Sequence, residues 1–181
     1  SHGIRNESVC AGEPEARARA RYVIERYAQP ALVEEFLDGR EVNVSLLGPP
    51  DDARVLPLRE IRFTLPSDLP RMLGFDAKWK PETVEYQQTL PEHVADAETD
   101  VRERVAWAAR AAYRAVGVRD YGRIDLRLDR DGTPTVLDVN PNPDIVPGGN
   151  FGLAATALAA GLPFPQLVRT IVEHALARRR S

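Results

Sequence analysis

The strongest constraint on the fold is a hairpin pattern between residues 121 and 140. Apolar and polar residues alternate from 121 to 128 and again from 135 to 139, and Asp131-Gly132 stands between the two segments. Asp-Gly between alternating segments is the strongest short-range signal for a β-hairpin. We therefore predict two antiparallel strands joined by a turn whose two central residues are Asp131 and Gly132.

This turn predicts a register that collects polar side chains on one face. Arg123 then pairs with Asn140 and Asp125 pairs with Asp138, and all four share a face because side chains alternate along a strand. We expect that face to form a site and the other face to join the core. The expected core face carries Ile124, Leu126 and Leu128 against Thr135, Leu137 and Val139.

The predicted pairing places two carboxylates directly opposite each other. Opposed like charges destabilise a strand pair by up to about 1 kcal/mol. A divalent cation would offset this, since Asp125, Asp138 and the Asn140 amide supply oxygen ligands that Mg²⁺ accepts together with phosphate oxygens. Arg123 would contact the same phosphates. The alternative is an ordinary solvated sheet face on which Arg123 neutralises its neighbours, and the hairpin alone does not decide between the two.

The remaining segments predict an α+β fold with an antiparallel sheet backed by helices. Residues 62–95 carry several prolines and no sustained period, so we expect a long, mostly irregular excursion of the kind that often serves as a lid. A second irregular loop is expected at 140–150. Helices are predicted at 13–28, 99–117, 151–160 and 164–178, and further strands at 31–37, 41–47 and 54–61.

Composition excludes several classes of partner and site. The net charge is −3 and the pI is about 5.7, so there is no electrostatic reason to expect nucleic acid. The single cysteine, Cys10, excludes an intramolecular disulfide and favours a reducing compartment. The sequence shows neither a membrane-spanning run nor a signal peptide, so we expect a cytoplasmic protein without a membrane partner. Because the chain begins at Ser1 rather than Met, we also expect an upstream portion.

Four segments, in this order along the chain, resemble the ATP-binding part of the ATP-grasp superfamily, nearest to the D-alanine:D-alanine ligases. The resemblance identifies residues 1–181 as a C-terminal ATP-grasp portion without the preceding domain or the first half of the ATP-binding domain. The segments are Ser1-His2-Gly3-Ile4 (end of a glycine-rich phosphate loop), Val33 to Glu41 (adenine and ribose strand), Ala77-Lys78-Trp79 (phosphate-contacting lysine), and Gly122 to Asp125 with Leu137 to Pro141 (metal-binding hairpin).

This resemblance implies a role for each matching position. Adenine would lie in the segment Glu34 to Leu37, against the backbone of Glu35 and Leu37 and beside Phe36, with the ribose on Glu41. Gly3, Lys78 and Arg123 would contact phosphates, Arg123 as the catalytic cation, while Asp125, Asp138 and Asn140 would hold Mg²⁺ or Mn²⁺. Competing interpretations are core packing for Phe36, a surface charge for Glu41, a solvated Lys78 and a frayed terminus for Ser1 to Ile4. His2 is a weak candidate for a base, and His93 and His174 are expected at the surface.

The function implied is a Mg-ATP-dependent, peptide-bond-forming carboxylate–amine ligase that acts through an acyl-phosphate on an amino acid or peptide. D-alanine specificity is not implied, because Asp144 replaces a family glycine, a substrate-binding serine has no counterpart in 141–150, and Asp138 replaces a glutamate. The alternatives are a small-molecule kinase with the same carboxylate pair and a non-catalytic nucleotide-binding module. A homodimer is left open.

Overall fold

A computed structural model describes residues 3–94, 98–148 and 152–179. Ser1 and His2, and residues 149 and 150 of the predicted loop, lie outside these ranges. In the described chain a 3₁₀ turn spans Asn6–Ser8, and the helices are α1 (Glu13–Tyr27), α2 (Phe75–Trp79), α3 (Val84–Gln87), α4 (Thr99–Ala115), α5 (Leu153–Ala159) and α6 (Phe164–Arg178). The strands are β1 (Arg40–Leu47), β2 (Arg54–Val55), β3 (Arg59–Phe63), β4 (Thr89–His93), β5 (Tyr121–Leu128) and β6 (Pro134–Asn140).

The chain divides into two compact units, each built from two separated segments. The first unit combines Ser1–Asp38 with Arg62–Leu90, and the second combines Gly39–Ile61 with Pro91–Ser181. The sequence analysis did not predict these two units. Each unit combines segments that are far apart along the chain, so no boundary in the sequence marks it.

The strands form one sheet in the order β4-β3-β1-β5-β6, and β2 pairs with the end of β1. β1 is antiparallel to β2, β3 and β5, and β5 is antiparallel to β6. Residues 41–47 of β1 are all buried, as expected for a central strand covered on both faces. The predicted α+β class with an antiparallel sheet is confirmed.

Helix α4 covers the apolar face of β1 and β5. Every second residue of the two strands points to this helix, as the alternation predicts. The Tyr113 hydroxyl donates to the Gly48 carbonyl at 2.9 Å, and burial, together with the Asp120 charge, raises the pKa of Tyr113. The cluster includes Val42, Val44 and Leu46 of β1, Ile124, Leu126 and Leu128 of β5, and Val105, Ala108, Ala109 and Tyr113 of α4.

A second buried cluster joins the last two helices to the far end of β1. Leu153 and Ala157 of α5 and Leu167 of α6 are fully buried and pack with Leu47 and Leu56. The apolar spacing of α6 predicts its bounds, 164–178, correctly. The predicted start of α5 at residue 151 lies outside the described residues, and the helix is observed from Leu153.

Three of the element predictions are wrong. The predicted strand 31–37 has no regular structure. Leu32 and Val33 remain 81% and 65% exposed, so this apolar run has no buried face. The predicted strand 54–61 breaks into β2 and β3 around Pro57, which cannot donate a ladder hydrogen bond. The excursion 62–95 is less irregular than predicted, because it contains α2, α3 and β4.

The hairpin turn also differs from the prediction, but the strand register at the site is the predicted one. The Asp129 N–H donates to the Thr133 carbonyl at 3.1 Å, so the loop has three residues, 130–132. Gly132 takes the left-handed conformation (φ 74°) that such a loop requires. Leu126 therefore pairs with Val136 while Asp125 pairs with Asp138.

The extra residue that reconciles these two pairings is Leu137, which forms a β-bulge. The bulge shifts the register by one residue and cancels the extra residue in the loop, so the predicted pairs Asp125–Asp138 and Arg123–Asn140 are confirmed. The prediction that Leu137 belongs to the core is wrong, because the bulged residue is 50% exposed. The prediction for Thr135 is also wrong, since Thr135 is exposed and pairs with Arg127 of the polar face.

Candidate functional site

The sheet face turned away from α4 is lined by polar side chains from three adjacent strands. Because β1, β5 and β6 are neighbours, each polar residue of β5 lies between residues of the other two strands. Glu41 pairs with Arg127, Asn43 with Asp125 and Ser45 with Arg123 across β1 and β5, while Asp125 pairs with Asp138 and Arg123 with Asn140 across β5 and β6.

Asp125 is the most heavily hydrogen-bonded member of this face. Arg123 binds it bidentately, from Nε to Oδ1 at 2.6 Å and from Nη2 to Oδ2 at 2.7 Å. Asn43 Nδ2 adds a hydrogen bond to Oδ1 at 2.8 Å. The neutralisation of Asp125 by Arg123 that the solvated-face interpretation expects is therefore present. Oδ1 receives two donors and Oδ2 receives one, which leaves acceptor capacity on Oδ2.

Asp138 and Asn140 complete the predicted ligand set on β6. Asp138 is exposed and Asn140 is half-buried, with Asn140 Oδ1 accepting the Asn142 N–H at 3.0 Å. Burial lowers the pKa of Arg123, but the hydrogen bond to Asp125 and the charges of Asp125, Asp138 and Glu41 outweigh this and leave the pKa raised. Arg123 and both aspartates thus form one electrostatic cluster.

The residues present fit a magnesium ion of the kind that shares its coordination with phosphate. Two carboxylates and one amide oxygen supply part of an octahedral shell, and Mg²⁺ in such sites completes it with water and phosphate oxygens. In the described chain no group of three or more His, Cys, Asp or Glu side chains is placed to hold a metal.

Glu41, the predicted ribose residue, is buried rather than at the surface. It is 7% exposed, and its carboxylate accepts a hydrogen bond from Arg127 Nη2 at 3.1 Å. The side chains of this ion pair are only 9% and 4% exposed. The competing interpretation of Glu41 as a surface charge is wrong. Sequence reasoning missed Arg127, although it continues the alternation of Arg123 and Asp125 along β5.

The first unit brings together the two segments predicted to contact phosphates. The Phe75 N–H at the start of α2 donates to the Ile4 carbonyl at 2.8 Å. Arg5 forms an ion pair with Asp76 at 3.3 Å, across 71 residues of sequence. Lys78, in the last turn of this helix, is half-buried. The Ile4 and Lys78 segments, far apart in sequence, are therefore parts of one local structure.

The conformation at Gly3 is held by hydrogen bonds. Its carbonyl accepts Arg19 Nη2 at 3.0 Å and the Ser8 hydroxyl at 3.3 Å. The interpretation of a frayed terminus is wrong at this residue, while Ser1 and His2 lie outside the described residues. A Cβ at Gly3 would meet Tyr27 at an ordinary 3.6 Å, so packing does not explain the glycine.

The predicted adenine segment lies in the first unit as irregular chain. Glu34 and Glu35 are exposed, and Leu37 is half-buried. Phe36 is 40% exposed, so the interpretation of Phe36 as a core residue is wrong. It lines an open groove of about 840 Å³ whose walls include Phe63, a volume in the range of small-molecule sites.

The two histidines expected at the surface differ from each other. His93 is exposed, with its Nε2 3.2 Å from Arg59 Nη1. His174 is half-buried, and its Nδ1 is buried without a hydrogen-bond partner in the described chain. Neither histidine is on the polar face of β1, β5 and β6.

Comparison with known proteins identifies the family. The family described as D-ala D-ala ligase C-terminus matches residues 9–173. The uncharacterized protein y4sG of Sinorhizobium fredii is 36% identical over 160 residues, which cover 88% of this chain and 44% of that protein. D-alanine–D-alanine ligase A of Mesorhizobium japonicum is 34% identical over 158 residues, covering 86% and 42%.

Solved structures agree on the fold. The D-alanine–D-alanine ligase from Bacillus anthracis complexed with ATP superimposes with a TM-score of 0.71 at 24% identity, covering 93% of this chain and 48% of that one. The chain thus spans half or less of the length of these relatives. In its described part, no helix has both the length and the hydropathy needed to cross a membrane. The chain belongs to the family of D-alanine–D-alanine ligase C-terminal domains, with their ATP-grasp fold.

Proposed function

We propose that this chain is the nucleotide-binding part of a Mg-ATP-dependent carboxylate–amine ligase that acts through an acyl-phosphate. The observation that carries the proposal is the opposition of Asp125 and Asp138 across two strands, beside Arg123, in a member of this family. Two facing carboxylates with a fixed guanidinium are suited to binding a metal ion together with phosphate groups.

In this proposal Asp125, Asp138 and Asn140 hold Mg²⁺, with Mn²⁺ as a substitute, and Asp125 contributes through Oδ2. When bound, the ion supplies positive charge that neutralises the nucleotide phosphates. Phosphoryl transfer depends mainly on such positioning and charge stabilisation, because the protein contributes little covalent chemistry.

Arg123 is the residue of this face best placed to stabilise charge during transfer. Asp125 occupies two of its five N–H donors and fixes the plane of the guanidinium. The remaining donors can bind an anion without the cost of ordering a mobile side chain. Arg123 thus serves as a fixed cation for a phosphate or acyl-phosphate oxygen.

The proposal also assigns nucleotide-binding roles to residues of the first unit. Gly3 and Lys78 contact phosphates, which the hydrogen bond between the Ile4 and Phe75 backbones supports by holding their segments together. We propose that adenine binds at Glu34 to Leu37, beside the exposed ring of Phe36. Glu41 keeps its proposed role as the ribose residue.

The loop that follows β6 is proposed to face the amine substrate. Asp144 shapes this loop, since its Oδ1 accepts the Val146 N–H at 2.7 Å and its carbonyl accepts the Leu153 N–H at 3.0 Å. We expect Asp144→Gly to change substrate preference, measured as relative rates with a panel of amino acids. Nucleotide affinity should stay within about twofold of the parent. Loss of ATP binding with unchanged preference would show that the loop is misplaced in this proposal.

The function is tested by ADP release and product analysis with pairs of amino acids. The assay uses the chain alone and the chain joined to the preceding half of a D-alanine–D-alanine ligase. ADP formation that requires both a carboxylate and an amine, with one dipeptide per ADP, supports the ligase. ADP formation with a single acceptor indicates a kinase, and nucleotide binding without turnover in either form indicates a binding module.

A further inference from the structure

A carboxylate in the first turn of α2 lies between two cations of the first unit. Asp76 Oδ1 is 2.7 Å from Lys80 Nζ, and Arg5 Nη1 contacts both Asp76 oxygens, at 3.3 and 3.4 Å. The Arg5 guanidinium also lies over the Phe75 ring, 4.6 Å from its centroid. The Asp76 side chain is 19% exposed, so water and salt screen its ion pairs less than pairs on an open surface. Asp76 therefore makes an ionic contact between α2 and the loop that begins at Gly3.

Backbone and side-chain contacts hold the same loop against α2 and α3. A Cβ at Gly74 would lie 3.2 Å from the Ile4 carbonyl oxygen, so the two backbones are in close contact there. Asn6 Nδ2 donates to Glu85 Oε1 at 2.7 Å. The loop and the two helices thus meet at several residues, and among these contacts Asp76 supplies the carboxylate that binds two cations.

The cations of this region differ in their partners. Arg5 and Lys80 both pair with Asp76, whereas Lys78 makes no ion pair or hydrogen bond within the described residues. Lys78 is also half-buried. An ammonium that is partly withdrawn from water and has no counter-ion is stabilised by an anion beside it. Lys78 is therefore the cation of α2 that remains available to an anionic ligand.

We propose that Asp76 is a positioning residue for the phosphate contacts of this chain. Its pair with Arg5 holds the Gly3 loop against α2. Its pair with Lys80 occupies that ammonium and leaves Lys78 to bind a nucleotide phosphate. Asp76 itself touches no substrate in this role. The inference rests on the function proposed above, in which Gly3 and Lys78 contact phosphates.

The negative charge of Asp76 allows a positioning role to be distinguished from a purely electrostatic one. A carboxylate near phosphates repels them, so a residue that acted through its charge alone would bind Mg-ATP more tightly after Asp76→Asn. A positioning residue gives the opposite result. Loss of the ion pair releases the loop, and binding of the nucleotide must then order it again.

Calorimetric titration with Mg-ATP and with adenosine tests the role of Asp76. The protein is the chain joined to the preceding half of a D-alanine–D-alanine ligase. Asp76→Asn should weaken Mg-ATP binding about tenfold, since the phosphate contacts are misplaced. Adenosine has no phosphate, and its affinity should change no more than about twofold. Asp76→Glu keeps the charge and should recover part of the loss. The control Glu82→Gln removes an exposed carboxylate between α2 and α3 and should leave both affinities within about twofold.

A double-mutant cycle tests whether Asp76 acts through Arg5. Arg5→Met should also weaken Mg-ATP binding, and Arg5→Met combined with Asp76→Asn should lose little more than the weaker-binding single variant, because the two side chains act as a pair. Losses that add in full would overturn the proposed action through the loop.

The remaining outcomes separate this inference from the proposed function. Equal losses of Mg-ATP and adenosine affinity in Asp76→Asn would overturn the inference, because the first unit would then be disturbed as a whole. Unchanged or tighter Mg-ATP binding in Asp76→Asn would refute the positioning role alone. Failure of the parent to bind Mg-ATP would refute the proposed function and this inference with it.

Discussion

The buried ion pair between Glu41 and Arg127 predicts a large, asymmetric response to mutation. The two side chains are 9% and 4% exposed and their charged atoms are 3.1 Å apart. Removing one partner of such a pair leaves a buried charge without its counter-ion and typically costs about 3 to 5 kcal/mol. Arg127→Met keeps much of the side-chain volume, so we expect a loss of about 3 kcal/mol or more in the free energy of unfolding.

Removing both charges should cost much less than removing one. The double variant Glu41→Leu with Arg127→Met removes both charges of this pair, and apolar replacements of buried ion pairs are often neutral or stabilising. We therefore expect the double variant to recover most of the stability lost in Arg127→Met.

Urea denaturation followed by circular dichroism measures these differences, provided that the slope of the transition is unchanged. Arg54→Met serves as the control for loss of an exposed arginine and should stay within about 0.5 kcal/mol of the parent. A loss below about 1 kcal/mol in Arg127→Met, or a double variant less stable than either single variant, would refute the buried pair as described.

Two further predictions concern the backbone and the core. Gly152→Ala would place a Cβ 2.5 Å from the Asp144 carbonyl oxygen at a φ of +89°, so the melting temperature should fall clearly more than in Gly148→Ala. Gly148 also has positive φ, but among the described residues a Cβ there would meet nothing within 4 Å, and the strain alone costs about 1 kcal/mol. Tyr113→Phe loses a buried hydrogen bond, and denaturation at neutral pH should show a cost of about 1 to 3 kcal/mol. Because burial raises the pKa of Tyr113, parent stability should fall as pH rises above about 10, where the unfolded phenol ionises. Denaturation as a function of pH should show a shallower fall in Tyr113→Phe.

The hairpin shows how much of the structure the local sequence pattern predicts. The alternation and the Asp-Gly pair predict the strands and the pairing of Asp125 with Asp138, but not the route to that pairing. A three-residue loop and a bulge at Leu137 produce the same register at the site as a two-residue turn without a bulge. The Asp-Gly pair alone does not distinguish the two arrangements, because the bulge depends on packing against neighbouring strands.

Other features were inaccessible because they depend on contacts between distant segments. The residues around Leu32 and Val33 have the composition of a β-strand. A strand also needs a neighbouring strand to pair with, and the local sequence does not indicate whether one is present. The burial of Glu41 depends on Arg127, 86 residues away. Alternation along β1 and β5 does place Asn43 and Arg127 on the site face, so that part could have been predicted.

The most direct test of the central claim is the stabilisation of the chain by Mg-ATP when one carboxylate is removed. Asp138→Asn removes the exposed member of the opposed pair, and Asp131→Asn removes an exposed charge from the turn of the same hairpin. Thermal and urea unfolding are measured for both variants and the parent, with and without Mg-ATP, in the chain joined to the preceding half of a D-alanine–D-alanine ligase. Without ligand, Asp138→Asn should change the free energy of unfolding by no more than about 0.5 kcal/mol, on the scale of a cross-strand charge pair.

With ligand, mass action sets the expected size of the effect. At a concentration about 100 times the parent dissociation constant, Mg-ATP should stabilise the parent and Asp131→Asn by about 2.7 kcal/mol. A roughly hundredfold loss of affinity in Asp138→Asn would reduce this to about 0.4 kcal/mol. Equal stabilisation of Asp138→Asn and the parent, or no stabilisation of the parent by Mg-ATP, would contradict the account.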